Sequence, residues 1–440
     1  MTARGLPVTG EGRPLTTGEG LLPATAEGPP SAIAPASAET SAETSTEAPA
    51  ERRPHLASLD GLRGFAVVAV LLFHGGLLSG GFLGVDLFFV LSGFLITGLL
   101  LGQVARGGRI GPVAFWGRRA RRLLPALVCV TVAVLAATWA WGTPAQLRFA
   151  LDDAPWAGAQ AVNWHYIAER IGYWNGADTR VFAHLWSIGV EWQFYLLWPL
   201  VVGCAARGRH AERIVAAVAG AGALASLAVT VPLGAAVDTT RAYEGTDTRA
   251  AALLLGALAA TAPVRALVRR VPRRVADPVC LVLAGGLAAA WVVTQGEKEP
   301  LLFRGGLFVH SLAAAALIVL LARVPGTRAA RIAGGALPRR LGEISYGLYL
   351  WHWPVYLLLL PRLDGLGRPV AVAVAIGVSA GAAVVTRRLV EDPVRFGAGW
   401  ARGRRGPLVV AALALAGAAL WAALPVPVSG AGTVDIGQLR

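Results

Sequence analysis

The sequence predicts an all-α fold, a polytopic bundle of about eleven transmembrane helices. Three observations lead there. Of the 440 residues, 55% are hydrophobic and 15% are charged, where soluble domains carry about a quarter charged residues. Apolar runs of about 20 residues, long enough to cross a bilayer, recur along the chain. Arginines gather at alternate ends of those runs, as the positive-inside rule requires. In hydrocarbon such runs must be helical, because each backbone amide needs a partner within its own segment.

The runs cover 61–79, 82–101, 123–141, 184–205, 212–235, 249–262, 276–294, 300–323, 341–361, 369–390 and 406–425. The sixth is short. Residues 145–166 are half apolar and suit a re-entrant or surface helix. Residues 1–54 are rich in Ala, Pro, Thr, Glu and Gly without an apolar period. They read as a disordered cytoplasmic tail, and their start lacks the basic-then-apolar order of a signal peptide. An odd number of spans then places the short tail 426–440 outside the cell.

The net charge of +14 would suggest nucleic acid in a soluble protein. Here the basic residues concentrate in 106–122, 207–213, 265–274, 323–340 and 387–405. That makes the excess a topology signal and argues against a nucleic-acid partner. Cys129, Cys204 and Cys280 each lie in an apolar run without disulfide or metal spacing, and read as small core residues. No metal is expected.

Ionisable side chains inside spans are costly and usually mark a pathway or an active site. They fall at two depths. His74, Asp86 and Glu191 lie roughly 6–10 Å from the outer surface, counting 1.5 Å per helical residue. Arg63 and the run Arg118-Arg119-Ala120-Arg121-Arg122 lie near the inner surface. Arg63 and His74 are three helical turns apart, on one face of the first span. Arg119 and Arg122 are i, i+3 neighbours able to converge on one anion. His184, Ser187, Glu191 and Tyr195 form one polar stripe, and Ser345, Tyr349, His352 and Tyr356 form another. Singly, each residue has a structural reading: the arginines as topology anchors, the histidines as packed hydrogen-bonding groups, Asp86 as a local cap. Jointly they suit group transfer. A His poised by a carboxylate can deprotonate a hydroxyl, and arginines can hold a phosphorylated donor.

Five segments then resemble the membrane acyltransferase 3 family. They are His55–Phe65 continuing to Phe73-His74, Gly84–Ile96, Phe115–Pro125, His184–Pro199 and Ile344–Pro354, in order from about residue 55 to 395. The resemblance implies an acyl-CoA-dependent O-acyltransferase core over 55–395, with 396–425 as an additional span. Its donor is acyl-CoA, acetyl-CoA by default, and its acceptor a hydroxyl of an envelope glycan, an exported sugar or a secondary metabolite. It assigns the Arg-x10-His pair to Arg63 and His74, and the R-x-x-R motif to Arg119 and Arg122, beside Arg118. It also assigns Asp86 and Glu191 to the catalytic group. Ser187, Trp186, Tyr195 and His352 become candidates for substrate contact. His74 is expected to act as base or acyl carrier, oriented by Asp86 or Glu191. Two departures stand out. Trp192 occupies a position where many members have a second Glu. Only the stub Val426–Arg440 is read after the last span, where many members continue into an SGNH hydrolase-like domain, so a separate partner of that type is one expectation. A transporter or lipid flippase would also explain buried charges, but it predicts inverted repeats, and the ionisable spans cluster in the first half of the chain.

Overall fold

Each apolar run is centred on a helix in the computed structural model, which describes residues 57–427 apart from 177–178, 237, 297–298 and 325. The expectations for 1–54 and for 428–440 lie outside these residues. No strand occurs among the described residues. The helices are α1 Ala57–His74, α2 Gly84–Ala105, α3 Pro112–Trp141, α4 Pro144–Gly158, α5 Val162–Ala168, α6 Tyr173–Gly176, α7 Trp186–Ala205, α8 Ala211–Leu233 and α9 Thr240–Glu244. They continue as α10 Thr246–Ala259, α11 Ala262–Val268, α12 Arg273–Val293, α13 Leu307–Arg323, α14 Arg328–Ala333, α15 Ala336–Leu359, α16 Arg368–Thr386, α17 Asp392–Phe396 and α18 Arg405–Ala423.

Among the described residues, nine helical segments are long and apolar enough to cross a membrane on their own. A tenth is reached if the stretch from Thr240 to Val268, bent by 65°, counts as one broken span. That break falls at the short sixth run. The ninth run forms α15, which at 24 residues is long enough to span at about 1.5 Å per residue. Its polar stripe keeps its hydropathy low, because that stripe faces protein rather than lipid. Residues 145–166 form two short helices rather than a span. Thr143 and Gln146 cap the first reciprocally, side chain to backbone N–H, at 3.2 and 2.9 Å.

Small residues bring the site-bearing helices together. A Cβ on Gly64 would lie 2.1 Å from the Pro338 carbonyl oxygen, and one on Gly342 would lie 1.8 Å from that of Asp60. The backbones of α1 and α15 therefore touch, a contact open only to small residues. Gly93 and Gly256 play the same part between α2 and α10. Near the other end of α1, the Tyr356 hydroxyl donates to the Leu71 carbonyl at 3.1 Å, which pins α15 to α1 one turn before His74.

Candidate active site

His74 ends α1, and His352 lies at the facing position of α15. Their nitrogens, His74 Nδ1 and His352 Nε2, are 3.0 Å apart. His352 Nδ1 meets the Tyr349 carbonyl at 2.7 Å. A carbonyl only accepts, so His352 carries its proton on Nδ1 and, when neutral, offers Nε2 as an acceptor. His74 then donates from Nδ1, and its Nε2 is left with a free lone pair. This tautomer is assigned from the hydrogen-bond pattern, and it leaves His74 able to act as a base. The ring is boxed by Phe73, Trp353 and His352, with centroids 5.0, 4.7 and 5.0 Å away.

A second layer fixes this pair. Tyr349 Oη donates to the His184 carbonyl at 2.9 Å, and Ser187 Oγ meets Tyr349 Oη at 2.8 Å. His184 Nε2 meets the Leu350 carbonyl at 3.1 Å. Trp353 Nε1 donates to the Arg180 carbonyl at 2.9 Å, tying the α7–α15 contact to the segment that precedes α7. Trp186 packs one layer deeper, fully buried against Tyr243 with centroids 4.9 Å apart.

The carboxylates do not orient His74, contrary to the sequence expectation. Asp86 forms a buried ion pair with Arg249 of α10 at 2.8 Å, and Ser311 Oγ lies 3.3 Å from its other oxygen. Glu191 Oε1 accepts from Ser92 Oγ and Tyr195 Oη. It lies within electrostatic range of Arg63 and Arg119, so it belongs with the arginines. The reason is helix rotation. Counting residues from the membrane surface gives depth, but only packing decides which neighbour a side chain faces.

At the arginine end, Arg119 lies 5.5 Å over the Phe115 ring and 5.8 Å over the Tyr195 ring. Arg63 approaches Asp60 only loosely, at 3.9 Å. Arg122 is within electrostatic range of both Arg63 and Arg119. Among the described residues, neither Arg119 nor Arg122 has a carboxylate at ion-pair distance. Arg118 is exposed and lies within electrostatic range of Arg119.

Sequence reasoning missed two groups. Arg249 stood at the edge of the short sixth run, where an arginine reads as an interface residue. A buried Asp86 on a neighbouring span was the available signal that a buried cation was needed. The second group is Asp152, Asp153, His165 and Arg180, beside α4 and α5. Arg180 ion-pairs with Asp153 and lies 3.5 Å from Asp152, and Tyr166 Oη donates to Asp153 at 2.8 Å. Burial pushes the Asp153 carboxyl up to about 6, although Arg180 and Tyr166 pull it down. Asp152, Asp153 and His165 bring possible ligand atoms close to one another, but Arg180 Nη1 already lies against one oxygen of each carboxylate, and the group reads as an ion-pair network.

The Acyltransferase domain family matches residues 56–388. The chain belongs to that family. It is 33% identical over 348 residues to the O-acetyltransferase OatA of Staphylococcus aureus, covering 78% of this chain and 57% of the relative. It is equally similar to the peptidoglycan O-acetyltransferase OatA of Listeria monocytogenes, over 354 residues with 78% and 56% covered. The putative peptidoglycan O-acetyltransferase YrhL of Bacillus subtilis matches at 33% over 353 residues, with 78% and 55% covered. The chain thus spans a little over half the length of these curated relatives. No solved structure matches. The family member described here is a multi-pass membrane protein, and four of the five resembling segments lie wholly within the matched region, the first beginning at His55, one residue before it.

Proposed function

We propose that this acyltransferase is an O-acetyltransferase that moves an acetyl group from cytosolic acetyl-CoA to a hydroxyl of a cell-envelope glycan. The names of the relatives support the glycan and the acetyl group. The observation that carries the chemistry is the His74–His352 hydrogen bond, which leaves His74 Nε2 with a free lone pair at the end of α1 opposite Arg63. The arginine end would face the cytosol and the histidine end the cell exterior, with the C-terminal tail outside.

In this reading Arg119 and Arg122 hold the donor phosphates and Arg63 steadies the arm that follows. Arg63 and His74 are roughly 16 Å apart along the helix axis, so the thioester must be carried along α1. His74 Nε2 takes the proton of the acceptor hydroxyl as its oxygen attacks the thioester carbonyl. The carbon–sulfur bond then breaks, and the CoA thiolate leaves and recovers a proton. An acyl group carried briefly on the protein is compatible with the same residues. Ser187, Tyr349 and His352 position the reacting histidine rather than the donor. A separate SGNH-type partner for the final transfer is part of this proposal.

Protein purified into lipid nanodiscs, given acetyl-CoA and a soluble muropeptide acceptor, should release free CoA thiol with the acceptor present. His74→Gln should lower that rate by about 10²- to 10⁴-fold, the usual contribution of a general base, without changing acetyl-CoA binding. A transporter or flippase would release no CoA, and full activity of His74→Gln would remove the mechanism.

A further inference from the structure

A basic group from the far end of the chain joins the arginine end. Pro393 has no N–H for the Leu389 carbonyl, and its ring crowds the preceding turn. The backbone widens there into a π turn over Arg387–Glu391, and Trp400 Nε1 donates to the freed Leu389 carbonyl at 3.0 Å. Single widened turns of this kind recur at functional sites. This one sets α17 against α3 and brings Arg395 within electrostatic range of Arg122.

The two arginines of this segment differ. Arg387 is met by Asp392 at 3.4 Å and Glu343 at 3.6 Å. Arg395 has no carboxylate at ion-pair distance among the described residues, and lies only against its neighbour Phe396, 4.9 Å from the ring centroid. Glu391 acts on both Arg122 and Arg395 and partly offsets their repulsion. Its Oε1 is buried without a hydrogen-bond partner, and among the described residues Glu391 is at ion-pair distance from neither guanidinium. Two such cations held near one another, with no carboxylate at ion-pair distance from either, favour an anion between them.

Their exposure falls in two steps. Arg63, Arg119 and Arg122 are half-buried, and Arg395 is exposed. Coenzyme A entering acyl end first would leave its 3′-phosphoadenosine end outermost, beyond the pyrophosphate. We propose that Arg395 and Arg122 form a second anion subsite that takes the ribose 3′-phosphate, while Arg119 with Arg122 holds the pyrophosphate. This rests on the acyl-CoA donor reading above.

The test compares acetyl-CoA with its 3′-dephospho form, by calorimetric binding to the full chain in nanodiscs. Wild type should bind the dephospho form about tenfold more weakly, a typical charge-assisted contact. Arg395→Ala should bind acetyl-CoA about tenfold more weakly and the dephospho form unchanged, and Arg395→Lys should recover part of the difference. Equal weakening of both ligands, or of neither, would overturn the subsite. The wild-type preference is a check that needs no variant: equal affinity for the two ligands removes the subsite even if Arg395→Ala does not fold. If wild type binds neither ligand, the donor reading fails instead.

Discussion

At the histidine end of α1, the ring nitrogens and hydroxyls of His74, His352, Tyr349 and Ser187 are tied to one another or to backbone carbonyls, and one lone pair on His74 is left over. At the arginine end the arrangement is reversed. Arg119 rests on the Phe115 and Tyr195 rings, neither it nor Arg122 has a carboxylate at ion-pair distance among the described residues, and Glu191 is already accepting from Ser92 and Tyr195. The first region is preorganised without a ligand. The second holds an electrostatic deficit that only an anion corrects. An enzyme that must place a small neutral acyl group, but grip a highly charged carrier, needs both kinds of site. On α2 and α10 the Asp86–Arg249 pair is buried and matched in charge, and it marks where charge serves the fold.

That contrast breaks most sharply at the closed pair. Asp86→Ala leaves Arg249 buried and unpaired, which should destabilise the protein by about 3–5 kcal/mol. Replacing both residues with Ala should cost less than the sum of the single changes. Arg122→Ala, at the open end, should leave the melting temperature unchanged or raised and weaken acetyl-CoA binding instead. Thermal melts in detergent alongside binding isotherms separate the two, and a strongly destabilised Arg122→Ala would show that the arginine end is structural.

A smaller effect is expected at the ring pair. His352→Phe keeps the packing but removes the acceptor for His74 Nδ1–H, so His74 loses its orientation. The turnover rate should fall by about ten- to a hundredfold with donor affinity intact, a loss confined to the transition state. A change in KM for acetyl-CoA with kcat preserved would instead make His352 a substrate contact.

The smallest effect concerns pH. Asp153 titrates near 6 when folded, against an ordinary 3.8. A raised acid favours the folded state most fully below the ordinary value, and that contribution is lost as pH rises through 6. Acidification from pH 7 to 5 should therefore protonate Asp153 and loosen Arg180 without lowering the melting temperature through this group. Asp153→Asn should flatten the accompanying change in melting temperature. A wild-type melting temperature that falls on acidification, relative to Asp153→Asn, would reverse this reading.

The helical class, the apolar runs and most of the residues now placed at the two ends were legible in the sequence. Spans announce themselves by hydrophobic length, and a buried ionisable residue is conspicuous against such a background. The count was less legible. The sixth run is a bent pair of helices, and α15 is too polar to announce itself by hydropathy, because its stripe faces other helices. Pairings were not legible at all. Asp86 and Glu191 were placed beside His74 by depth, yet Asp86 faces Arg249 and Glu191 faces Ser92 and Tyr195.

By itself, then, the sequence determined what the chain is made of: a helical membrane core with an imidazole at one end of a helix and cations at the other, spaced by helical geometry alone. Tertiary structure decided which partner each of these groups has. Contacts such as Gly64 on Pro338 and Gly342 on Asp60 set how α1 and α15 are rotated against each other. That rotation puts His352, 278 residues along the chain, where a carboxylate had been expected. Depth follows from counting along one helix, whereas facing depends on the packing of two.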